Sequence, residues 1–289
     1  MFLKIMACFL HSQLRRPAVF VCLILSMFLT QGAFAPAPAA PAQPSASANP
    51  IVRSAAEVDY PPFSYVREDG AADGFSVELL RAALKAMARD VSFRTGTWTE
   101  VRRWLEKGEI QALPLVGRTP EREPLYDFTV PYMTLHGAIV VRDTSTDIRT
   151  LEDLRGRHVA VMAGDNAEEF LRRTDRGIHI HPRPTFEIAL KELDSGRYDA
   201  VVVQRLVALR LIQKTGRTRL RVIEKPVDGF RQDFCFAVRE GDRDTLALLN
   251  EGLAIVIADG TYSYLHAKWF ASMELPLERT LIVGGDRNF

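Results

Sequence analysis

The amino-acid sequence predicts an α/β chain of two lobes, on three observations. Strand and helix patterns alternate from residue 51 to residue 270, the alternation restarts near residue 158, and a long apolar strand, "QDFCFAVR", returns after the second run. "IVRSAA" opens as a strand. Leu79, Leu80, Ala83, Leu84 and Met87 keep helical spacing and predict a helix from about Ser76 to Arg89. "VSFRTG" is a second strand. Trp98, Val101, Trp104 and Leu105 stripe a second helix that Gly108 stops. "IQALPLVG" and "GAIVVR" are the third and fourth strands.

In the second run, "HVAVMAG" (His158 to Gly164) is a strand leading into a helix over Asn166 to Arg173. "GIHIHP" is a short strand, and Phe186, Leu190 and Leu193 stripe the next helix. "YDAVVV" (Tyr198 to Val203) is a buried strand. After "QDFCFAVR" (Gln232 to Arg239) come a helix through Leu246, Leu249, Leu253 and Ile257 and a last one ending at Phe270.

Lys4, Arg15 and Arg16 are the only charged residues among the first fifty, leaving 34 basic and 36 acidic residues in the body. That balance argues against a nucleic-acid partner. Arg15 and Arg16 precede the apolar "PAVFVCLILSMFLT", and small residues follow at Ala33, Ala35, Ala37 and Ala39, so residues 1–35 read as a signal peptide. Pro17 to Phe34 also approaches the length of a membrane anchor, and both readings stay open. Either one places the body outside the cytoplasm. Residues 36–50 form a Pro/Ala-rich linker with little to bury. Cys8 and Cys22 lie in the leader, so Cys235 is alone in the body and reads as a buried thiol.

Five stretches, in order, resemble the family 3 solute-binding proteins of the periplasm: "DYPPFSYVREDGAADGFSVELL", "GRTPEREPLYDFTVPY", "LEDLRGRHVAVMAGDNAEEFL", "LDSGRYDAVVV" and "ADGTYSYLHAKWF". The resemblance implies a bilobal periplasmic-binding-protein-like type II fold, two mixed-sheet α/β lobes joined by two crossover strands. The solute-binding domain is then residues 51–270, with lobe 1 from 51–141 and 235–270 and lobe 2 from 142–234. It also implies capture of a small polar solute, an amino acid or related small acid, in the interlobe cleft. The partner is then an ABC permease or a membrane-bound sensor portion, and no cofactor is implied.

Carried onto this sequence, the resemblance marks Arg122 as the cation for a ligand carboxylate, Tyr60 and Phe63 as stacking aromatics, and Glu57 as a recogniser of a ligand cation. A guanidinium fork suits a carboxylate in a dry cleft. Arg118 is a second candidate cation, and Thr119 a cap for that turn. Gly117 stands where relatives often have a hydroxyl. Asp165, followed by Asn166, replaces the Ser/Thr at a helix N-terminus that receives a carboxylate, and an aspartate there can cap the helix itself. Gln204 replaces the Asp that receives an α-ammonium, with Arg205 beside it. Tyr132 borders the cleft or packs the hinge.

The expected chemistry is binding without catalysis. The sequence has no Ser/His/Asp motif, HExxH or phosphate loop. A dehydratase-like enzyme is the alternative, with Glu57 as a lone acid or base. His179 and His181 alternate on one strand and lack a third metal ligand nearby in the sequence. The last residues, "LIVGGDRNF", imitate "VRSAAEVDY": Asp286 falls under Glu57 and Phe289 under Tyr60. Residues 271–289 therefore read as a tail that opens a second, truncated module. That suggests another alternative, the N-terminal fragment of a tandem-module histidine kinase or diguanylate cyclase.

Overall fold

The computed structural model describes residues 50–271; the leader, nearly all of the linker and the tail lie outside the described residues. The opening strand, β1 (Ile51–Glu57), is buried from Ser54 onward and pairs in parallel with β5 (Asp90–Gly96). The crossover between them is α1 (Phe75–Ala86), whose buried face carries Leu79, Leu80, Ala83 and Leu84. Three short antiparallel strands, β2 (Asp59–Tyr60), β3 (Ser64–Val66) and β4 (Ala72–Asp73), shape the loop that precedes this helix. Next, α2 (Trp98–Glu106) starts where the Glu100 carboxylate accepts from both the amide and the hydroxyl of Thr97, each at 2.8 Å. This satisfies donors that a helix start would otherwise leave open. The strand β6 (Leu113–Gly117) follows, buried throughout, and then β7 (Tyr126–Phe128).

Two long strands connect the halves. β8 (Met133–Arg142) and β13 (Arg231–Arg239) pair antiparallel over residues 133–136 and 231–234. Beyond that point they diverge. Residues 137–140 of β8 pair with β11 (Ala200–Gln204) and residues 140–142 with β12 (Leu220–Val222). The far end of β13 pairs with β6 and β7. Residues 137–141, assigned by the sequence to the first lobe, thus hydrogen-bond within the second lobe's sheet. That sheet continues through β9 (His158–Met162) to β10 (His179–Arg183), both parallel to each other.

The second lobe's strands have period-two faces that are both covered, as parallel strands require. Ile139, Val159, Val161 and Val202 pack with Phe170, on α3 (Asn166–Thr174), and with Phe230. The opposite face, Val140, Ala160, Val201 and Val203, packs with Phe186 and Leu190 of α4 (Phe186–Asp194) and Leu211 of α5 (Arg205–Thr215). In the first lobe, α6 (Arg243–Ala258) lies against α1 and is followed by α7 (Thr261–Phe270). A Cβ on Gly252 would sit 2.3 Å from the Ala83 carbonyl oxygen, so glycine permits this close helix approach.

The helix α1 ends at Ala86, short of the expected Arg89. The sequence reading also passed over α5. That helix begins straight after β11 at Gln204, without a side-chain cap or an acidic first turn, so the usual start signal is missing. Among the described residues no helix is long and apolar enough to cross a membrane.

Candidate functional site

The two lobes meet along a seam built from the C-terminal ends of β1 and β6 on one side and the start of α3 on the other. Glu57, Tyr60, Trp98, Leu115, Gly117, Arg122 and Phe234 face Asp165 and Asn166 across it. The space enclosed between them is about 10 Å³, room for roughly one water. Ligand pockets are more often ~300–1,000 Å³, so in this closed arrangement the space is too small for a solute.

Arg122 is the most buried cation of the seam, 1% exposed. Its Nη1 donates to the Gly117 carbonyl at 3.1 Å within its own lobe. Across the seam, Nη2 donates to the Gly164 carbonyl at 3.2 Å and Nε to Glu169 Oε1 at 3.0 Å. The guanidinium also lies 4.9 Å from the Trp98 ring centre, a cation–π distance. Other donors reinforce the same two acceptors. Trp98 Nε1 and Arg102 Nη1 donate to the Gly164 oxygen at 2.6 and 3.1 Å. Thr119 Oγ1 donates to Glu169 Oε2 at 2.9 Å. One carbonyl and one carboxylate of the second lobe are thereby held by four side chains of the first. Arg173 with Glu121 extends this seam at the surface.

At the other end, Asp59 reaches across to the N-terminus of α4, its carboxylate accepting from the Glu187 amide at 2.8 Å. An acid there also meets the positive end of the helix dipole. Tyr60 packs against Phe186 of the same helix, ring centres 6.0 Å apart. Burial pushes the Asp59 carboxyl up to about 6, opposed by the Glu187 amide bond.

Asp165 is the N-cap of α3, accepting from the Ala167 amide at 2.9 Å. Its carboxyl is raised from 3.8 to about 6, chiefly by burial, against the attraction of Arg122. Glu57 is raised well above the usual carboxylate range by burial first, then by Asp165 and Asp59. Burial does the same to the Tyr60 phenol, followed by the nearby charges of Asp165 and Glu57. Two carboxyls and a phenol therefore share one dry space, which disfavours charging all of them together. The hydroxyl of Tyr60 and the Oε1 atoms of Gln204 and Gln232 are buried without a hydrogen-bond partner among the described residues.

Of the residues singled out in the sequence, Glu57, Tyr60, Gly117, Arg122, Asp165 and Asn166 line this space. Gln204 stands behind it, its Nε2 3.4 Å from Asn166 Oδ1. Two expectations do not fit. Phe63 is fully buried against Phe270 in the first lobe's core, because the β2–β3 turn carries its ring inward and away from the seam. Arg118 is half exposed and paired with Glu123 at 2.5 Å, since the turn after Gly117 directs its side chain outward. Tyr132 packs rather than borders the cleft: it is buried and bonded to Ser76 and the Pro114 carbonyl. His181 Nε2 lies 2.8 Å from His158 Nδ1, and among the described residues no three side chains are grouped to hold a metal. Cys235 is buried, its thiol pushed up to about 12 by desolvation.

Trp98, Gly164, Glu169 and Gln232 were not selected from the sequence. Trp98 was legible only as part of a helical stripe, although its place directly after the Thr97 cap sets it at a helix start. Glu169 looked like an ordinary first-turn acid, favourable to the helix dipole. Its partner, Arg122, is 47 residues away, and no local pattern records that pairing.

Comparison with known proteins agrees with this architecture. Residues 52–272 match the profile of "Bacterial extracellular solute-binding proteins, family 3". The L-cystine-binding protein TcyJ of Escherichia coli is 34% identical over 219 residues, 75% of this chain and 81% of that protein. A histidine kinase sensor domain with similarity to periplasmic binding proteins superposes with a TM-score of 0.73 at 32% identity, covering 77% of this chain and 96% of the domain. An ancestral arginine-binding protein bound to arginine gives 0.71 at 30%, covering 77% and 99%. The chain belongs to the bacterial extracellular solute-binding proteins of family 3.

Proposed function

We propose that this chain is an extracytoplasmic receptor that captures a small polar solute of the amino-acid class between its lobes and catalyses no reaction. The observation that carries the reading is the seam itself. Glu57, Tyr60, Arg122, Asp165 and Asn166 converge on one buried space, and bonds from Trp98, Arg102, Thr119 and Arg122 close over it. Only contacts that exist in the closed arrangement can drive closure, and these contacts cross the seam. The printed names of the relatives, a cystine-binding and an arginine-binding protein, support the solute class. The basic, apolar leader supports export.

Two uses of the same capture step follow. In one the closed receptor docks on an ABC permease; in the other closure feeds a membrane-bound signalling portion. The likeness to an amino-acid ABC transporter-binding protein supports the first, and the likeness to a kinase sensor domain supports the second. A thermal-shift screen over amino acids, amines and small organic acids tests capture, because a solute bound only by the folded state raises its apparent stability. If no member of that set shifts the transition, the receptor reading falls. A reporter fused after the chain in its host separates sensing from uptake of labelled solute.

A further inference from the structure

At the Arg122 end of the seam, the donors that would meet a ligand carboxylate are already engaged by carboxylates and carbonyls of this chain. Glu169 occupies Arg122 Nε and the Thr119 hydroxyl. The Gly164 and Gly117 carbonyls occupy the other two nitrogens of Arg122. At the helix start, Glu168 Oε2 accepts from the Gly164 amide at 2.7 Å and Asp165 from the Ala167 amide. What remains is the opposite polarity. Gln204 Oε1 and Gln232 Oε1 are buried acceptors without partners among the described residues, and the Tyr60 hydroxyl, able to accept or to donate, is unpaired beside them. The Glu57 carboxylate beside them receives no hydrogen bond among the described residues and sits 7% exposed.

These groups border one space. Tyr60, Glu57 and Asp165 line it directly. Gln204 reaches it through Asn166, and Gln232 Oε1 lies 3.6 Å from the Cβ position of Gly117. Orphaned buried acceptors are costly, each on the order of 1–3 kcal/mol, and two carboxyls sharing one dry space with Arg122 as their common cation add to that cost. An ammonium group, with three donors and a positive charge, relieves both. A ligand carboxylate does the reverse: to reach Arg122 it must displace Glu169, a carboxylate only 13% exposed in its present place, and set two negative groups side by side.

Resting on the receptor reading above, we infer that the site is selective for small primary amines that lack the α-carboxylate, Glu169 serving as a built-in substitute for that group. Glu57 and Asp165 receive the ammonium, and the Gln204 and Gln232 carbonyls and the Tyr60 oxygen complete its acceptors. The specificity determinant is then Glu169, which touches Arg122 rather than the guest.

The test uses matched pairs that differ by the carboxylate: agmatine against arginine, histamine against histidine, cystamine against cystine. Affinities of the full chain are measured by calorimetry and thermal shift at pH 7.5. At least one amine should bind 10-fold or more tightly than its amino-acid partner. In Glu169→Ala that preference should fall at least 10-fold, because Arg122 becomes open to the carboxylate. Glu169→Gln, which keeps the side-chain shape and removes the charge, should move the ratio the same way and serves if the alanine variant does not fold. Amino acids binding as tightly as the amines to the wild-type chain would overturn the inference while leaving capture intact. So would an amine preference that neither Glu169 variant changes. Failure of both members of every pair to bind would overturn this inference, whereas the receptor reading falls only if the wider screen is negative as well.

Discussion

Replacing Asp165 with asparagine should stabilise the protein at neutral pH, even though the residue caps a helix. Asn is as good an N-cap as Asp and keeps an oxygen for the Ala167 amide, so the 2.9 Å bond survives. What changes is the charge. The folded state raises this carboxyl from 3.8 to about 6, about 2.2 units, or about 3 kcal/mol at about 1.4 per unit. The direction follows from linkage. Between pH 3.8 and 6 the folded state holds the proton that the unfolded state has released, so stability falls as pH rises through that window. Below it both forms are neutral and the penalty is gone.

Asp165→Asn removes the titration. Urea denaturation at pH 7.5 should show a gain of about 1–3 kcal/mol, a midpoint shift of roughly 1 M, and at pH 3.5 the two proteins should agree to within about 0.5 kcal/mol. The attraction of Arg122 for the charged form is already contained in the net shift, so it adds no separate loss. A variant of equal or lower stability at pH 7.5, or a gain that is the same at every pH, would refute the claim that an ionised Asp165 is confined in a dry seam.

Other expectations concern closure, packing and pH. Trp98→Phe keeps the ring over Arg122 and loses the 2.6 Å bond to the Gly164 carbonyl; small-angle scattering should show a larger radius of gyration, as closure weakens by about 0.5–1.5 kcal/mol. Arg122→Ala removes the 3.0 Å partner of Glu169, leaving Arg102 at 3.8 Å as a weaker cation, and should lower stability by about 1–3 kcal/mol in chemical denaturation. Gly252→Ala forces a methyl against the Ala83 carbonyl, and should cost about 1–3 kcal/mol with solute preference unchanged in calorimetry. Asp165 is raised to about 6, with Glu57 raised in the same direction by burial, so the negative charge of Asp165 is lost as pH falls through about 6. Amine affinity measured by calorimetry should therefore weaken from pH 7.5 to pH 5, and a pH-independent affinity would count against an ammonium at these two acids.

The alternation of strands and helices, and most of their positions, was legible before the structure because apolar periodicity and turn residues are local signals. α2 shows this well: its stripe of Trp98, Val101, Trp104 and Leu105 is the face it buries. α5 was not legible, since its start lacks a cap and follows a buried strand without a break. The order of the sheet and the crossing of β8 from one lobe to the other near Gly137 depend on register with distant strands.

Within the site, Arg122, Tyr60 and Asp165 stood out through family resemblance and unusual residue choice, and the cap formed by Asp165 followed from its place before a helix. Phe63 and Arg118 could not be sorted the same way. An aromatic after Pro-Pro, or an arginine after Gly117, faces the seam or turns from it according to a backbone turn that composition does not record. The sequence by itself determined the fold class and which chemical groups the two lobes carry. Only the tertiary structure decided that Glu169 and the Gly164 carbonyl meet Arg122, leaving the acceptors of Gln204, Gln232 and Tyr60 unanswered. The physical reason is that hydrogen-bond partnership in a dry seam is set by which atoms are brought within about 3 Å, and here those atoms lie more than forty residues apart along the chain.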